Sequence, residues 1–235
     1  MSFDSHGRIV NRVIEGLPPA TRRRVLAQCV RVHLVLGTVL AKPGVRERHA
    51  LFPLDSLISL VASVSGHQPM EVALIGSEGM LGANQVLGMD EAPLMAVVQG
   101  AGGALRLGAG PLRRLLSEDP ALRRAVGACL YRLLTDMSQN IACTRFHEID
   151  ARLARWLLMT HDRAHGDNFH LTHENLAAML GVQRSAVSIA AAALKKGRLI
   201  DYVRGNISIL SRAGLELVAC ECYLHSLPAK HATAH

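Results

Sequence analysis

The chain has 235 residues, of which 49% are apolar, and it carries a net charge of +7. An apolar fraction of this size excludes a disordered chain, and the length allows one large or two modest domains, each with a core. The charge favours an anionic partner. Because the chain holds only four Phe, three Tyr and one Trp, it lacks the stacking residues that single-stranded nucleic acid needs, and double-stranded DNA is the favoured polyanion.

Residues 1–16 read as a loosely held arm, after which Pro18-Pro19 opens a basic helix at Ala20–Gln28. Short apolar runs with dense glycine then indicate a β-sandwich, barrel or roll over residues 18–110, since twelve of the 20 glycines lie between Gly37 and Gly110. The predicted strands are Val30–Leu36, Leu57–Val64, Glu71–Ile75, Ala96–Val98 and Ala104–Leu107.

Residues 111–146 are predicted to be helical. Pro111–Leu116 forms a short helix, and Asp119-Pro120 starts a long one that runs to about Phe146, with Asp as the cap and Pro in the first turn. Spacings of 4, 3, 4, 3 and 4 residues form a heptad seam that predicts a dimer interface at Val126, Leu130, Leu133, Met137, Asn140 and Thr144. The alternative is that this face packs on the chain's own β-domain.

Residues 147–224 are predicted to bind DNA, starting with an amphipathic helix at Ile149–His161. A helix-turn-helix follows, in which Thr172 caps the first helix and Gly181 ends it. Apolar faces are expected at Leu176, Met179, Leu180, Val182, Val187, Ala191 and Leu194, with Ala177 at the close approach of the two helices. An ordinary helical hairpin is the alternative.

A wing follows the second helix, because Arg204-Gly205-Asn206 separates the β-branched runs Leu199–Val203 and Ile207–Leu210. Six cations and one anion lie between Arg184 and Arg212, which suits phosphate contact. The candidate DNA-binding residues are Thr172, His173, Gln183, Arg184, Ser185, Ser188, Ile189, Lys195, Arg204 and Asn206. The tail, residues 225–235, is expected to be disordered.

No catalytic constellation is found, so the chain is not expected to be an enzyme. The His-Glu pairs at His147 and His173 lack the second histidine of a zinc protease motif, and neither a P-loop nor a G-x-S-x-G elbow occurs. A metal-dependent hydrolase stays the remote alternative. Cys220 and Cys222 could bind metal or respond to oxidation, and the polar group His161, His165, His170 and His173 could bind metal, but buried thiols and loop histidines are the preferred interpretation and no metal is predicted.

The chain is also expected to be cytoplasmic and to have no membrane partner. No apolar run reaches membrane-spanning length, and the N-terminus has no signal-peptide core. Five cysteines, an odd number without framework spacing, favour a reducing compartment.

The order of β-roll, long helix and winged helix resembles the Crp–Fnr family of bacterial transcription regulators over about Leu17 to Tyr223. The resemblance is carried by the helix-turn-helix and by the segments LGTVLAKPG, LFPLDSLISLV and EVALIGSEGMLG, which start at Leu36, Leu51 and Glu71. It implies an α+β fold, a homodimer held by the long helices, a sensor in the N-terminal roll and a palindromic promoter site. RNA polymerase is a candidate partner, and Arg184 stands where the family places an arginine that reaches a guanine.

Nucleotide-binding members of that family hold ribose with a Glu, the cyclic phosphate with an Arg-Ser pair, and the base with a Thr-Ser pair. The corresponding positions here are Met80, Leu94-Met95 and Met137-Ser138. Because a buried phosphate without a cation is costly, cyclic AMP is not the expected effector. The candidate effector pocket is Met80, Leu81, Leu94, Met95, Met137 and Ser138.

Several alternatives stay open for the sensor. No cofactor is predicted, but the pocket could take an apolar ligand, hold haem through a histidine such as His33, His49 or His67, or be filled by side chains. A redox sensor and a ligand-independent DNA-binding protein are further alternatives. An iron–sulfur cluster is disfavoured, because Cys29 is the single cysteine before Cys129.

Overall fold

The computed structural model describes residues 11–163 and 167–226. These residues form two compact units, one of residues 11–137 with Arg163 and the other of residues 138–162 and 167–226. Antiparallel sheets come first, a long helix follows, and helices with a small sheet come last. This order confirms the predicted α+β class.

The first unit contains two antiparallel sheets. The three-stranded sheet has the order β1-β7-β3, and the four-stranded sheet has the order β2-β6-β4-β5. The strands are β1 (Cys29–Leu34), β2 (Val39–Ala41), β3 (His49–Pro53), β4 (Leu57–Ala62), β5 (Met70–Ile75), β6 (Met95–Gly100) and β7 (Gly102–Gly108). The helices are α1 (Arg12–Glu15), α2 (Pro19–Leu26), a 3-10 helix (Ala83–Leu87), α3 (Ala109–Glu118) and the long α4 (Pro120–Phe146), whose last residues belong to the second unit.

Strands β2 and β3 were not predicted. β2 has only three residues and lies between Gly37 and Gly44, which both adopt positive φ angles. β3 is buried at four successive residues and ends on a proline, so it shows neither the alternation nor the composition of a typical strand. Tertiary pairing with β7 holds it in the sheet.

The prediction of a loose arm was wrong for the described part of residues 1–16. Asn11 is buried and caps α1, and its amide also donates to the carbonyl oxygens of Pro53 and Gly79, both at 2.9 Å. Ile14 is buried in the core of the first unit. Residues 1–10 lie outside the described residues.

Asp119 caps α4, as the sequence predicts. Its Oδ1 accepts from the backbone N–H groups of Ala121 (3.0 Å) and Leu122 (3.2 Å), and its Oδ2 accepts from the hydroxyl of Thr21 at 2.8 Å. The Thr21 hydrogen bond is the main reason that the pKa of Asp119 is lower than usual. The cap therefore ties the start of α4 to α2.

The second unit contains α5 (Ile149–His161), α6 (His173–Leu180), α7 (Arg184–Lys196), α8 (Arg212–Val218) and α9 (Cys222–Ser226), and a three-stranded sheet. That sheet has the order β8-β10-β9, with β8 at Asn168–His170, β9 at Ile200–Val203 and β10 at Asn206–Ile209. β8 was not predicted, because three residues after a polar loop carry no periodicity. His225 and Ser226, assigned to the tail from the sequence, belong to α9, and residues 227–235 lie outside the described residues.

Among the described residues, no single helix is long and apolar enough to cross a membrane. Only α6 and α7 taken together reach such a length and composition, and they are bent by 108° at the turn between them.

Candidate nucleic-acid interface

The turn between α6 and α7 has the geometry that the sequence predicts. Thr172 Oγ1 accepts from the backbone N–H of Asn175 at 3.1 Å and caps α6. Gly181 ends the helix in the left-handed conformation, with φ of 63°, which a residue with a side chain adopts only at a cost. The bend of 108° lies within the range of helix-turn-helix motifs, about 90–120°.

The inner faces of the two helices are buried. Leu176, Ala177 and Leu180 of α6 meet Val187, Ala191 and Leu194 of α7 in one core, against which Met179 and Val182 also pack. α5 contributes Leu153, Leu157 and Leu158 to the same core. This core fixes which side of α7 is left to solvent.

The first turns of α7 present polar and apolar side chains outward. Gln183, Arg184 and Ser185 are exposed, and Ile189 has 71% of its surface exposed. A recognition helix contacts base edges with these N-terminal positions.

His173 and Ser188 are held within the domain. The His173 ring stacks on Tyr202 of β9 with 4.3 Å between centroids, and its Nδ1 lies 2.9 Å from Ser188 Oγ. Ser188 Oγ also donates to Arg184 O at 3.0 Å, and since a hydroxyl has one proton, His173 Nδ1–H is the donor of the other bond. Burial, and secondarily Arg184, lowers the pKa of His173, which favours the neutral ring. The pair therefore orients the start of α7.

The wing turn is shorter than predicted. Val203 of β9 pairs with Asn206 of β10, so the loop is the two residues Arg204 and Gly205 rather than three. Their φ angles, 50° and 85°, are both positive, as in a type I′ turn. The turn leaves Arg204 exposed at the tip.

Asn206, another of the predicted DNA-binding residues, follows the turn, and its Oδ1 lies 2.9 Å from His170 Nδ1.

Two predicted cations of this region are engaged in ion pairs. Lys195 Nζ lies 2.8 Å from Asp201 Oδ1 and donates to Tyr202 O at 3.1 Å. Arg212 Nη2 lies 2.7 Å from Asp162 Oδ1, and its Nε lies 2.9 Å from Glu216 Oε1. Arg212 therefore pairs with carboxylates of its own unit. The other exposed cations of the predicted set are Arg184, Lys196, Arg198 and Arg204.

The predicted histidine group does not form a metal site among the described residues. His161 Nε2 lies 2.6 Å from Asp167 Oδ1, while its Nδ1 lies 2.8 Å from Arg212 Nη1. Both ring nitrogens of His161 therefore have protein partners. His165 lies outside the described residues.

The predicted effector residues do not enclose a ligand-sized space. The cavity beside Met80, Leu81, Leu94 and Leu133 has a volume of about 40 Å³, whereas small-molecule sites have about 300–1,000 Å³. Met80 is fully buried, and Leu94 and Met137 pack against the core of the first unit. Met95 does not line this cavity, and Ser138 is exposed on α4. The alternatives for this pocket were an apolar ligand, haem and filling by side chains. The structure agrees with filling by side chains.

A larger cleft lies elsewhere in the first unit. Its volume is about 450 Å³, and its lining includes His33 of β1 and His49 of β3, two of the three candidate haem histidines. His67 is exposed in the loop between β4 and β5. The cleft is basic, since it is also lined by Lys42, Arg46, Arg48 and Arg106, with Glu47 as the one acidic residue.

The predicted dimer seam packs within the chain. Val126 has no exposed surface, and Leu130, Leu133 and Met137 pack against the cores of the first unit. Asn140 accepts from Arg155 Nη1 at 3.1 Å, and Thr144 from Arg152 Nη2 at 3.4 Å. Val126 is fully covered by its own chain, whereas the other five side chains are only partly buried. The packing of the first four residues agrees with the alternative, and the dimer seam stays a prediction.

A different stripe of α4 is exposed. Tyr131, Leu134 and Ile141 have 73%, 62% and 65% of their surface exposed. With Ser138, which is also exposed, they are spaced 3, 4 and 3 residues apart. The heptad pattern therefore occurs twice on this helix, and the sequence alone did not reveal which copy faces outward.

Cys220 and Cys222 do not stand alone. Their thiols lie beside Cys143 and His147 from the end of α4, and the four ligand-type atoms are all within 4.8 Å of one another. The C-x-x-x-H spacing of Cys143 and His147, one helical turn, was the missed signal in the sequence.

The family model of the Crp-like helix-turn-helix domain matches residues 151–218. A search of curated proteins found no significant match.

Solved structures match nearly the whole fold. A protein from Eubacterium rectale described as a regulator of the Crp/Fnr family is 14% identical, with a TM-score of 0.69 over 88% of this chain and 97% of that one. The c-di-GMP responsive regulator CLP of Xanthomonas campestris is 19% identical, with a TM-score of 0.66 over 82% and 99%. A CRP/FNR-family regulator of Thermus thermophilus is 21% identical, with a TM-score of 0.65 over 81% and 98%. Identities this low establish the fold and not the ligand.

Proposed function

We propose that this chain is a regulator of the Crp/Fnr type and that it acts as a homodimer that binds a palindromic promoter site in duplex DNA. The observation that carries the proposal is the exposed start of α7, where Arg184, Ser185 and Ile189 face solvent on a helix whose other side is buried. Such a helix enters the major groove, and an arginine there donates two parallel hydrogen bonds to guanine O6 and N7.

The wing contributes phosphate contact in this account. Arg204 is exposed at the tip of a two-residue turn, and a cation there increases affinity for all sequences alike. Thr172 and Gln183, exposed at the starts of α6 and α7, are suited to the phosphates, because helix N-termini favour anions. His173 and Ser188 hold the backbone at the start of α7 through the bonds described above.

The second copy covers the exposed stripe of α4. Tyr131, Leu134 and Ile141 form an apolar row at heptad spacing on a helix of 27 residues, which is what a helix pair between two chains requires. Such a dimer would present two recognition helices to one palindrome, with half-sites about 34 Å apart.

The first unit is proposed to sense an effector other than cyclic AMP or cyclic GMP. The space at the predicted nucleotide position is small and bounded by Met80, Leu81 and Leu94. The basic cleft is the candidate site for an effector, and its cations Arg48 and Arg106 favour an anionic one. Arg46 also lines the cleft, but its Nε already lies 2.7 Å from Asp90 Oδ2. A ligand-independent DNA-binding protein is the alternative.

The chain is proposed to have no catalytic activity of its own and to work in the cytoplasm, with RNA polymerase as a candidate partner at the promoter. A test separates a regulator from a nonspecific DNA protein. The full chain is titrated onto a selected palindrome and onto random duplex of equal length at fixed salt. A regulator prefers the palindrome by about 10³-fold or more, whereas equal affinities would contradict the proposal.

A further inference from the structure

Four side chains that commonly bind metal ions meet in the second unit. Cys143 and His147 lie one turn apart near the end of α4, Cys220 lies between α8 and α9, and Cys222 is the first residue of α9. Cys143 Sγ is 3.6 Å from Cys220 Sγ, and Cys222 Sγ is 3.5 Å from His147 Nδ1. Two segments separated by more than 70 positions in the sequence thus supply three thiols and one imidazole.

These distances match the edges of a tetrahedron around zinc. With Zn–S of about 2.3 Å and Zn–N of about 2.0–2.1 Å, the S···S edges are about 3.7 Å and the S···N edges about 3.5 Å. A disulfide instead requires the two sulfurs to be about 2.05 Å apart. The side chains are therefore positioned for a shared ion and not for a bond between Cys143 and Cys220.

The groups around the cluster are those that support metal ligands. His147 Nδ1 faces the thiols, and its Nε2 lies 3.2 Å from Glu221 Oε1. A histidine that binds zinc usually donates its other N–H to a carboxylate in this way. Gln139 Nε2 donates to Cys222 Sγ at 3.0 Å, a bond that stabilises a thiolate.

The burial of the cluster also favours an ion. Cys143, Cys220 and Cys222 are all buried, and the side chain of His147 is only 24% exposed. Thiols packed only as core residues would need neither a histidine directed at them nor a carboxylate behind it.

We propose that Cys143, His147, Cys220 and Cys222 bind one Zn²⁺ ion in a closed Cys₃His site. All four positions of the tetrahedron are filled by protein, as in structural rather than catalytic zinc sites. The ion joins the last turns of α4 to the segment that holds α8 and α9, and it stabilises the second unit independently of whether that unit binds DNA. This assignment replaces the prediction from the sequence that the chain holds no metal.

The test measures metal content in the full chain, expressed with zinc available and purified under reducing conditions without chelators. Elemental analysis and native mass spectrometry are expected to give about one zinc per chain. Replacement by Co²⁺ is expected to give the thiolate-to-cobalt charge-transfer absorption of a tetrahedral thiolate site. Less than about a tenth of a zinc per chain, or a cobalt spectrum without thiolate bands, would overturn the proposal.

Variants separate the site from general cysteine chemistry. Cys220→Ser and His147→Ala are expected to lose the zinc, while His147→Cys retains it because a fourth thiolate completes a Cys₄ site. Cys29→Ser is the matched control, since Cys29 lies in β1 of the other unit, and it keeps full zinc. If a variant fails to fold, the metal content and cobalt spectrum of the unaltered chain still decide. A Cys143–Cys220 disulfide in freshly alkylated protein, or a bound iron–sulfur cluster, would contradict a zinc site.

Discussion

At the scale of single residues, Arg184 carries the sequence preference of the proposed complex. Arg184→Ala is expected to weaken binding by about 1–3 kcal/mol per half-site and to relax the preference at one guanine, because alanine offers neither of the two hydrogen bonds. The measurement is the affinity of the variant for the selected site and for its single-base substitutions. An equal loss on every sequence would show that Arg184 contacts phosphate alone.

Arg204→Ala is the matched comparison, because Arg204 is also an exposed arginine but lies at the wing tip. It is expected to weaken binding to all sequences alike and to reduce the salt dependence, since one phosphate contact is lost. Affinities at several salt concentrations test this. A change in base preference without a change in the salt slope would place Arg204 in a groove instead.

Asp119 is expected to stabilise the first unit through its cap on α4. Asp119→Ala removes the acceptor for two backbone N–H groups and for Thr21, and it should lower the free energy of unfolding by about 0.5–2 kcal/mol. Asp119→Asn should retain most of the cap. Chemical denaturation followed by a probe in the first unit measures both, and equal stabilities of the three proteins would contradict the assignment.

The charge of Asp119 gives this cap a defined pH dependence. The hydrogen bond from Thr21 lowers the pKa of Asp119 in the folded chain, so the folded state favours the ionised carboxylate. The extra stability is fully present above the unfolded pKa, about 3.9, and is lost as the pH falls through the lower folded pKa. The difference between the original chain and Asp119→Asn should therefore shrink below that pH.

Sequence reasoning succeeded at residues whose role is set by their neighbours along the chain. The Thr172 cap, the left-handed Gly181 and the Asp119 cap depend on a few consecutive positions, and the structure contains all three. The sequence did not predict contacts between residues that are far apart along the chain. Nothing near His173 reveals its stacking on Tyr202, and Cys143 and His147 acquire their partners only when the chain folds.

At the scale of elements, the proposed dimer depends on the exposed stripe of α4. Leu134→Asp would place a carboxylate in the apolar contact between two copies, where it is costly, and is expected to dissociate the dimer. Leu87→Asp is the control, because Leu87 is exposed to a similar degree (69%, against 62% for Leu134) but lies in the 3-10 helix. Light scattering reports the mass of each. A Leu134→Asp chain that stays dimeric at micromolar concentration would exclude this stripe as the interface.

The sequence predicted long elements better than short ones. The bounds of α4 and α5 agree with the structure to the residue, because capping signals and repeated apolar spacing extend over many positions. β2, β3 and β8 are held by pairing with distant strands and carry little local pattern. The helix periodicity of α4 also could not decide which of two heptad faces is covered by the chain's own core.

At the scale of the whole molecule, the first unit is expected not to bind cyclic nucleotides. Cyclic AMP and cyclic GMP need a cation for the phosphate and room for the base, and the cavity of about 40 Å³ beside Met80 and Leu94 provides neither. Isothermal calorimetry with each nucleotide should show no binding at physiological concentrations. Micromolar affinity for either one would mean that this region opens or that the nucleotide uses another site, such as the basic cleft.

Two copies of this chain are proposed to read DNA sequence with α7. The decisive measurement is the selection of binding sites from random duplex DNA by the unaltered full chain. We expect two inverted half-sites, each with a guanine, whose centres are about one helical turn apart. Enrichment of no sequence, or of single unpaired half-sites, would contradict it.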